Sequence, residues 1–97
     1  MHKLVGVQRA KAGKVREAVA ALKAIAEYLK SKHGLKVEVY LQLFGPAGTI
    51  YVISELQDLG SFQAMQAKIM ADDSLLALVQ KAAEVSDPPT AALLQPV

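Results

Sequence analysis

Apolar and polar residues alternate through two neighbouring stretches, Lys36–Phe44 and Thr49–Leu56, and Gly45-Pro46-Ala47-Gly48 separates them. Alternation of period two predicts strands with unlike faces, so the pair reads as a β-hairpin with a short turn. Lys3–Arg9 reads as an opening strand, with Val5 and Val7 on one face and Leu4, Gly6 and Gln8 on the other. Between that strand and the hairpin the period changes. Val15, Ala18, Val19, Leu22, Ile25, Ala26 and Leu29 recur at spacings of three and four, the mark of a helix with one buried stripe. Lys30, Lys32 and His33 suit a helix C-terminus, and Gly34 supplies the left-handed residue that ends it.

The second half repeats the scheme. Asp58 reads as an N-cap, and Phe62, Met65, Ile69 and Met70 form a stripe. Ala71-Asp72-Asp73-Ser74 interrupts it before Leu75, Leu76, Val79, Ala82 and Ala83 resume. Two consecutive helical pieces follow, the second capped by Asp72 or Asp73. Ser86-Asp87-Pro88-Pro89 stops the helix, and Thr90–Gln95 reads as a short edge strand. The order is β-α-β-β-α-β. It predicts an α+β fold in which a four-stranded antiparallel sheet carries its helices on one face.

The other face is then bare. If Phe44 faces Thr49 across the turn, Leu43 pairs with Ile50, Leu41 with Val52, Val39 with Ser54 and Val37 with Leu56 toward the helices. The bare face pairs Gln42 with Tyr51, Tyr40 with Ile53 and Glu38 with Glu55. Tyr40, Phe44, Tyr51 and Ile53 would make an apolar patch of a size that monomers seldom expose. A homodimer through the sheet face covers it, with a twofold axis as the default. Aromatic sheet faces also stack RNA bases. Here the first strand offers no aromatic residue, which speaks against nucleic acid. The Gly45–Gly48 string resembles a backbone-clamping loop of RNA-binding domains, but it joins strands and holds no cation, so it reads as a turn.

Composition narrows the class. The chain has 97 residues, 53% of them hydrophobic, and reads as one domain over 1–97. It has no cysteine, which excludes disulfides and thiolate chemistry and fits the cytoplasm. No apolar run is long enough to cross a bilayer, and no signal peptide is apparent. The net charge of +2 conceals a basic first third and an acidic remainder. That asymmetry fits complementary solvated helix faces, or a basic surface for a phosphate.

Candidate chemistry is sparse. Opposed carboxylates at Glu38 and Glu55 can share a proton and act as an acid/base pair, or can simply be solvated. The two histidines, His2 and His33, belong to no spaced ligand cluster, so no metal site is expected. Nor does any motif call for a cofactor. Gln8, Glu38, Tyr40, Gln42, Tyr51 and Glu55 form the candidate ligand-binding set, with no catalytic residue assigned.

This organisation resembles the dimeric α+β barrel superfamily, whose ferredoxin-like subunits pair sheet to sheet. The resemblance is strongest to its small antibiotic biosynthesis monooxygenase-like and NIPSNAP-like groups. It spans nearly the whole chain: the opening strand, Ala12-Gly13-Lys14 before a long helix, Lys32-His33-Gly34 after it, the Gly-rich hairpin, Glu55-Leu56-Gln57-Asp58, and the Ala71-Asp72-Asp73-Ser74 break. It implies a homodimeric barrel and a pocket for a small molecule, either between sheet and helices or inside the barrel. The implied activities are a cofactor-independent enzyme of monooxygenase or isomerase type, or a non-catalytic dimerisation or ligand-sensing module. The chain lacks the tryptophan and asparagine that quinone-forming members place in their pocket.

Overall fold

The period change along the chain builds seven elements in a computed structural model that describes residues 1–97. They are β1 (His2–Arg9), α1 (Val15–His33), β2 (Val37–Leu41), β3 (Thr49–Leu56), α2 (Leu59–Met70), α3 (Asp73–Val85) and β4 (Thr90–Leu94). The strands form one antiparallel sheet in the order β2-β3-β1-β4. This is the ferredoxin-like α+β arrangement, with the second helical segment split in two.

The helix ends form as their residues require. Gly34 ends α1 with φ 66°, and its N–H reaches back to the last carbonyls. Asp58 and Asp72 are the N-caps of α2 and α3, accepting from the N–H groups of Ser61 and Leu75. Ala18, Leu22 and Leu29 of the α1 stripe are buried. Ala18 and Leu22 meet Ile50 from the sheet, Ala82 from α3 and Ala10 in the central core. The small side chains Ala18 and Ala82 are almost fully buried, so the α1 and α3 backbones can approach closely. α2 departs from expectation: Phe62, Met65 and Ile69 are only half-buried, and Met70 is exposed. No residue of α2 is buried, because α3 takes the position against α1 that a single long helix would have filled.

The hairpin register differs from the sequence expectation by two residues. Val37 pairs with Ser54, Glu38 with Ile53, Val39 with Val52, Tyr40 with Tyr51 and Leu41 with Ile50. A slip of two keeps every side chain on its expected face and changes only its partner. Its cause is the connection. The Gln42 N–H bonds the Thr49 carbonyl at 2.9 Å, so the ladder closes there and residues 43–48 become loop. The Thr49 hydroxyl donates to the Pro46 carbonyl and the Ala10 N–H to that of Gly48, tying the loop down. Gly45, at φ 108°, also stands so close to the Gln42 amide that a Cβ there would lie 2.3 Å from Nε2. Leu43 and Phe44 therefore leave the sheet, at 87% and 92% exposure, and Phe44 is not part of the bare sheet face.

The result is a slab, with principal extents of 38 × 35 × 19 Å. No helix is long and apolar enough to cross a membrane.

Candidate functional site

Two surfaces gather the candidate residues. The first is the sheet face away from the helices. Strand pairing puts Glu38, Tyr40, Tyr51 and Glu55 on it, beside Val5, Val7 and Ile53. Gln42, just past the end of β2, joins them through a bond that Tyr51 donates to its Oε1 at 2.9 Å. Tyr40 donates to Glu38 Oε2 at 2.6 Å. That bond to a carboxylate, and the negative charge behind it, hold the Tyr40 phenol above its ordinary pKa. Two pairs of polar groups on this face, Tyr40 with Glu38 and Tyr51 with Gln42, thus occupy one another.

The expected confrontation of two glutamates does not occur. Glu38 is opposite Ile53, and Glu55 is opposite Lys3 of β1. Both glutamates border an open hollow of about 350 Å³ at the end of the sheet, with Met1, Lys36 and Ile53. They share its lining but are not directly opposed, so the cross-strand pairing expected for an acid/base dyad is absent.

The second surface is a cleft on the helix side. Gln8 faces that way, so it is separated from the other five candidates by the thickness of the sheet. α3 packs chiefly on α1, and a gap of about 220 Å³ remains between these helices and β1. Leu22 and Ile25 of α1, Val79 and Ala83 of α3, and Val52 of β3 wall it. Gly6 forms the floor, since a Cβ there would meet only ordinary contacts and a longer side chain would project into the space. Gln8 is the single polar side chain lining it, and no lining residue titrates. Its Nε2 donates to the buried Ser86 hydroxyl at 3.0 Å.

A third cluster was not legible in the sequence. Asp72 accepts from the Tyr28 hydroxyl at 2.9 Å, bonds His33 Nε2 at 2.8 Å and caps α3 through the Leu75 N–H at 3.1 Å. Its members are 39 and 44 residues apart in sequence, so only the antiparallel docking of α3 on α1 unites them. Each end signal was visible alone: a cap at Asp72 or Asp73 and a basic helix end at His33.

Burial alone would raise the Asp72 carboxyl. The bonds from His33, Leu75 and Tyr28 outweigh it, and the net position is below an ordinary aspartate. A depressed carboxyl stabilises the fold above its unfolded pKa, about 3.9, and loses that contribution as pH falls through the folded value. Urea midpoints at pH 6 and pH 2 should therefore show Asp72→Asn clearly less stable than the parent at pH 6, with the gap narrowing at pH 2. An equal gap at both pH values would refute the linkage.

No family model and no curated protein sequence matches the chain. Solved structures do match, at the level of fold. An uncharacterised NIPSNAP domain protein from Burkholderia xenovorans is 16% identical with a TM-score of 0.86, over 100% of this chain and 95% of that one. An antibiotic biosynthesis monooxygenase is 16% identical with a TM-score of 0.75, over 100% and 99%. A dimeric protein of unknown function and ferredoxin-like fold from Bacteroides fragilis is 17% identical with a TM-score of 0.74, over 97% and 94%. The chain therefore has the ferredoxin-like fold of the NIPSNAP and antibiotic biosynthesis monooxygenase-like proteins.

Proposed function

We propose that this chain is a homodimeric α+β barrel protein that binds a small, largely apolar metabolite in the cleft of each subunit. The observation that carries the binding site is the 220 Å³ gap over Gly6, walled by aliphatic side chains and holding one amide. A benzene-sized molecule occupies an apolar cavity of about 150 Å³, so the gap suits one or two fused rings. Apolar walls with a few placed polar groups are the usual make-up of a small-molecule site.

The partner is a second copy, seated on the face that carries Val5, Val7, Tyr40, Tyr51 and Ile53. The description of the Bacteroides fragilis structure as dimeric supports that reading. The tyrosine hydroxyls there already have acceptors in Glu38 and Gln42, so covering the face leaves few unmet hydrogen bonds. Binding without chemistry is favoured over the oxygenase or isomerase reading, because the cleft lining offers neither acid nor base and the two glutamates do not pair. A chain without cysteine suits the cytoplasm, where we place it.

Benzofuran is a suitable apolar probe. Titrating it into ¹⁵N-labelled protein should shift the amide resonances of Gly6, Val52 and Val79 and leave those of Glu38 and Glu55 unmoved. Gly6→Val keeps a strand-compatible residue, fills the cleft and should abolish the shifts. Shifts confined to the hollow by Glu38 and Glu55 would overturn this placement.

A further inference from the structure

We infer that the cleft selects ligands that donate a hydrogen bond, and that Gln8 and Ser86 together enforce that choice. The inference rests on the cleft being a binding site and adds the polarity of its ligand.

It begins with the segment that leaves α3. The Lys11 N–H bonds the Val85 carbonyl at 2.9 Å, and the Asp87 N–H bonds the Arg9 carbonyl at 2.7 Å. Ser86 forms an isolated bridge with Ala10. These bonds strap residues 85–87 to the end of β1 and place the Ser86 hydroxyl beside the Gln8 side chain.

That hydroxyl has a single proton. Its oxygen lies 2.5 Å from the Ala82 carbonyl, and a carbonyl can only accept, so the proton points there. Toward Gln8 the same oxygen has only lone pairs to offer. The amide must then present its NH₂ to Ser86, as the 3.0 Å bond from Nε2 shows. Were the amide turned over, two acceptors would face each other across that distance, at a part-buried contact. Ser86 thus dictates which way the amide points.

The other polar atom of the amide is Oε1, an acceptor. This oxygen has no donor within the protein, and Gln8 lines the gap. An acceptor in otherwise aliphatic walls rewards a hydroxyl or N–H on the ligand. It penalises a ligand oxygen or ring nitrogen without a proton, since two acceptors would then be desolvated against each other. The ligand class is therefore a compact apolar ring system bearing one outward hydroxyl or N–H. The Ala82–Ser86–Gln8 relay is a specificity element one residue removed from the ligand. Ser86 is a positioning residue, because it acts only through the amide.

Indole and benzofuran test this directly, because they share a shape and differ in an N–H against an oxygen. Their dissociation constants come from ¹⁵N-shift titrations of the parent chain, Gln8→Leu and Ser86→Ala. The measured quantity is the ratio of the two constants, which cancels changes in cleft size. One net hydrogen bond corresponds to about a fivefold preference. The ratio should therefore move about fivefold away from indole in Gln8→Leu. In Ser86→Ala, where the amide is free to turn, it should move the same way by a smaller factor. Gln8→Met serves as the replacement should Gln8→Leu not fold. A ratio unchanged in the Gln8 variant, or one that moves toward indole, overturns the inference and leaves the binding site standing. Failure of both probes to bind the parent chain overturns the inference and the site together.

Discussion

Tyr51→Glu should run as a monomer and the parent chain as a dimer. Tyr51 sits mid-strand in β3, between Val7 of β1 and Tyr40 of β2, at the centre of the face with no helix over it. The chain as a single subunit exposes 6632 Å². A folded monomer of its mass, 10.4 kDa, exposes about 5,400 Å². The excess, roughly 1,200 Å², matches one subunit's share of an obligate homodimer interface. Side chains such as Val5, Val7 and Ile53 contribute roughly 1.5–3 kcal/mol each when fully withdrawn from water. That is enough for several of them to offset the entropy of association. A glutamate at position 51 would be a buried charge without a counterion, costing about 3–5 kcal/mol. Dissociation should rise at least a hundredfold. Light scattering coupled to size exclusion reads both states. A parent chain of monomer mass at micromolar concentration would sink the barrel assembly.

Leu22→Ala should cost about 2–5 kcal/mol of folding free energy, the range for truncating a buried leucine. Leu22 is 6% exposed and belongs to the central cluster with Ile50, Ala18, Ala82 and Ala10. Few other residues share its load: this small chain buries only seven other hydrophobic side chains. Leu22 also walls the cleft above Gly6. Its loss therefore widens the cleft and thins the core at once, and the surroundings cannot collapse without closing the cleft. Urea denaturation gives the change. A loss below about 0.5 kcal/mol would show that the α1 stripe does not anchor the helix to the sheet.

Most of the fold was legible because its signals are local. The α1 stripe, the Gly34 stop, the cap at Asp58 and the cap at Asp72 or Asp73 each depend on residues within one or two turns. The break between α2 and α3 was visible for the same reason: an N-cap aspartate interrupts an apolar period. Faces of strands were legible too, and a register slip of two leaves them intact. Partners across the hairpin were not. They depend on how residues 42–48 close, and that closure uses bonds from the Thr49 side chain and from Ala10 of another strand. The glutamate pair failed on this point alone.

The candidate site divides along the same line. Tyr40, Gln42, Tyr51, Glu38 and Glu55 share a face by parity, which the sequence states. Gln8 was grouped with them, and only the pairing of β1 with β3 puts it on the opposite side, where it meets Ser86, 78 residues away. No periodicity links those two, because their contact is set by the strap of residues 85–87 onto β1. The Tyr28–His33–Asp72 cluster has the same origin.

What the sequence determined by itself is therefore the kind of each element, the ends of its helices, and the faces of the hairpin strands and of α1, all consequences of short-range sterics and of apolar periodicity. Only the tertiary structure decided that α3 rests on α1 and leaves a gap above Gly6, that the hairpin pairs two residues out, and that Ser86 orients an amide. Those depend on side-chain volumes and hydrogen bonds meeting across tens of residues, where the chain's local pattern carries no information about distance.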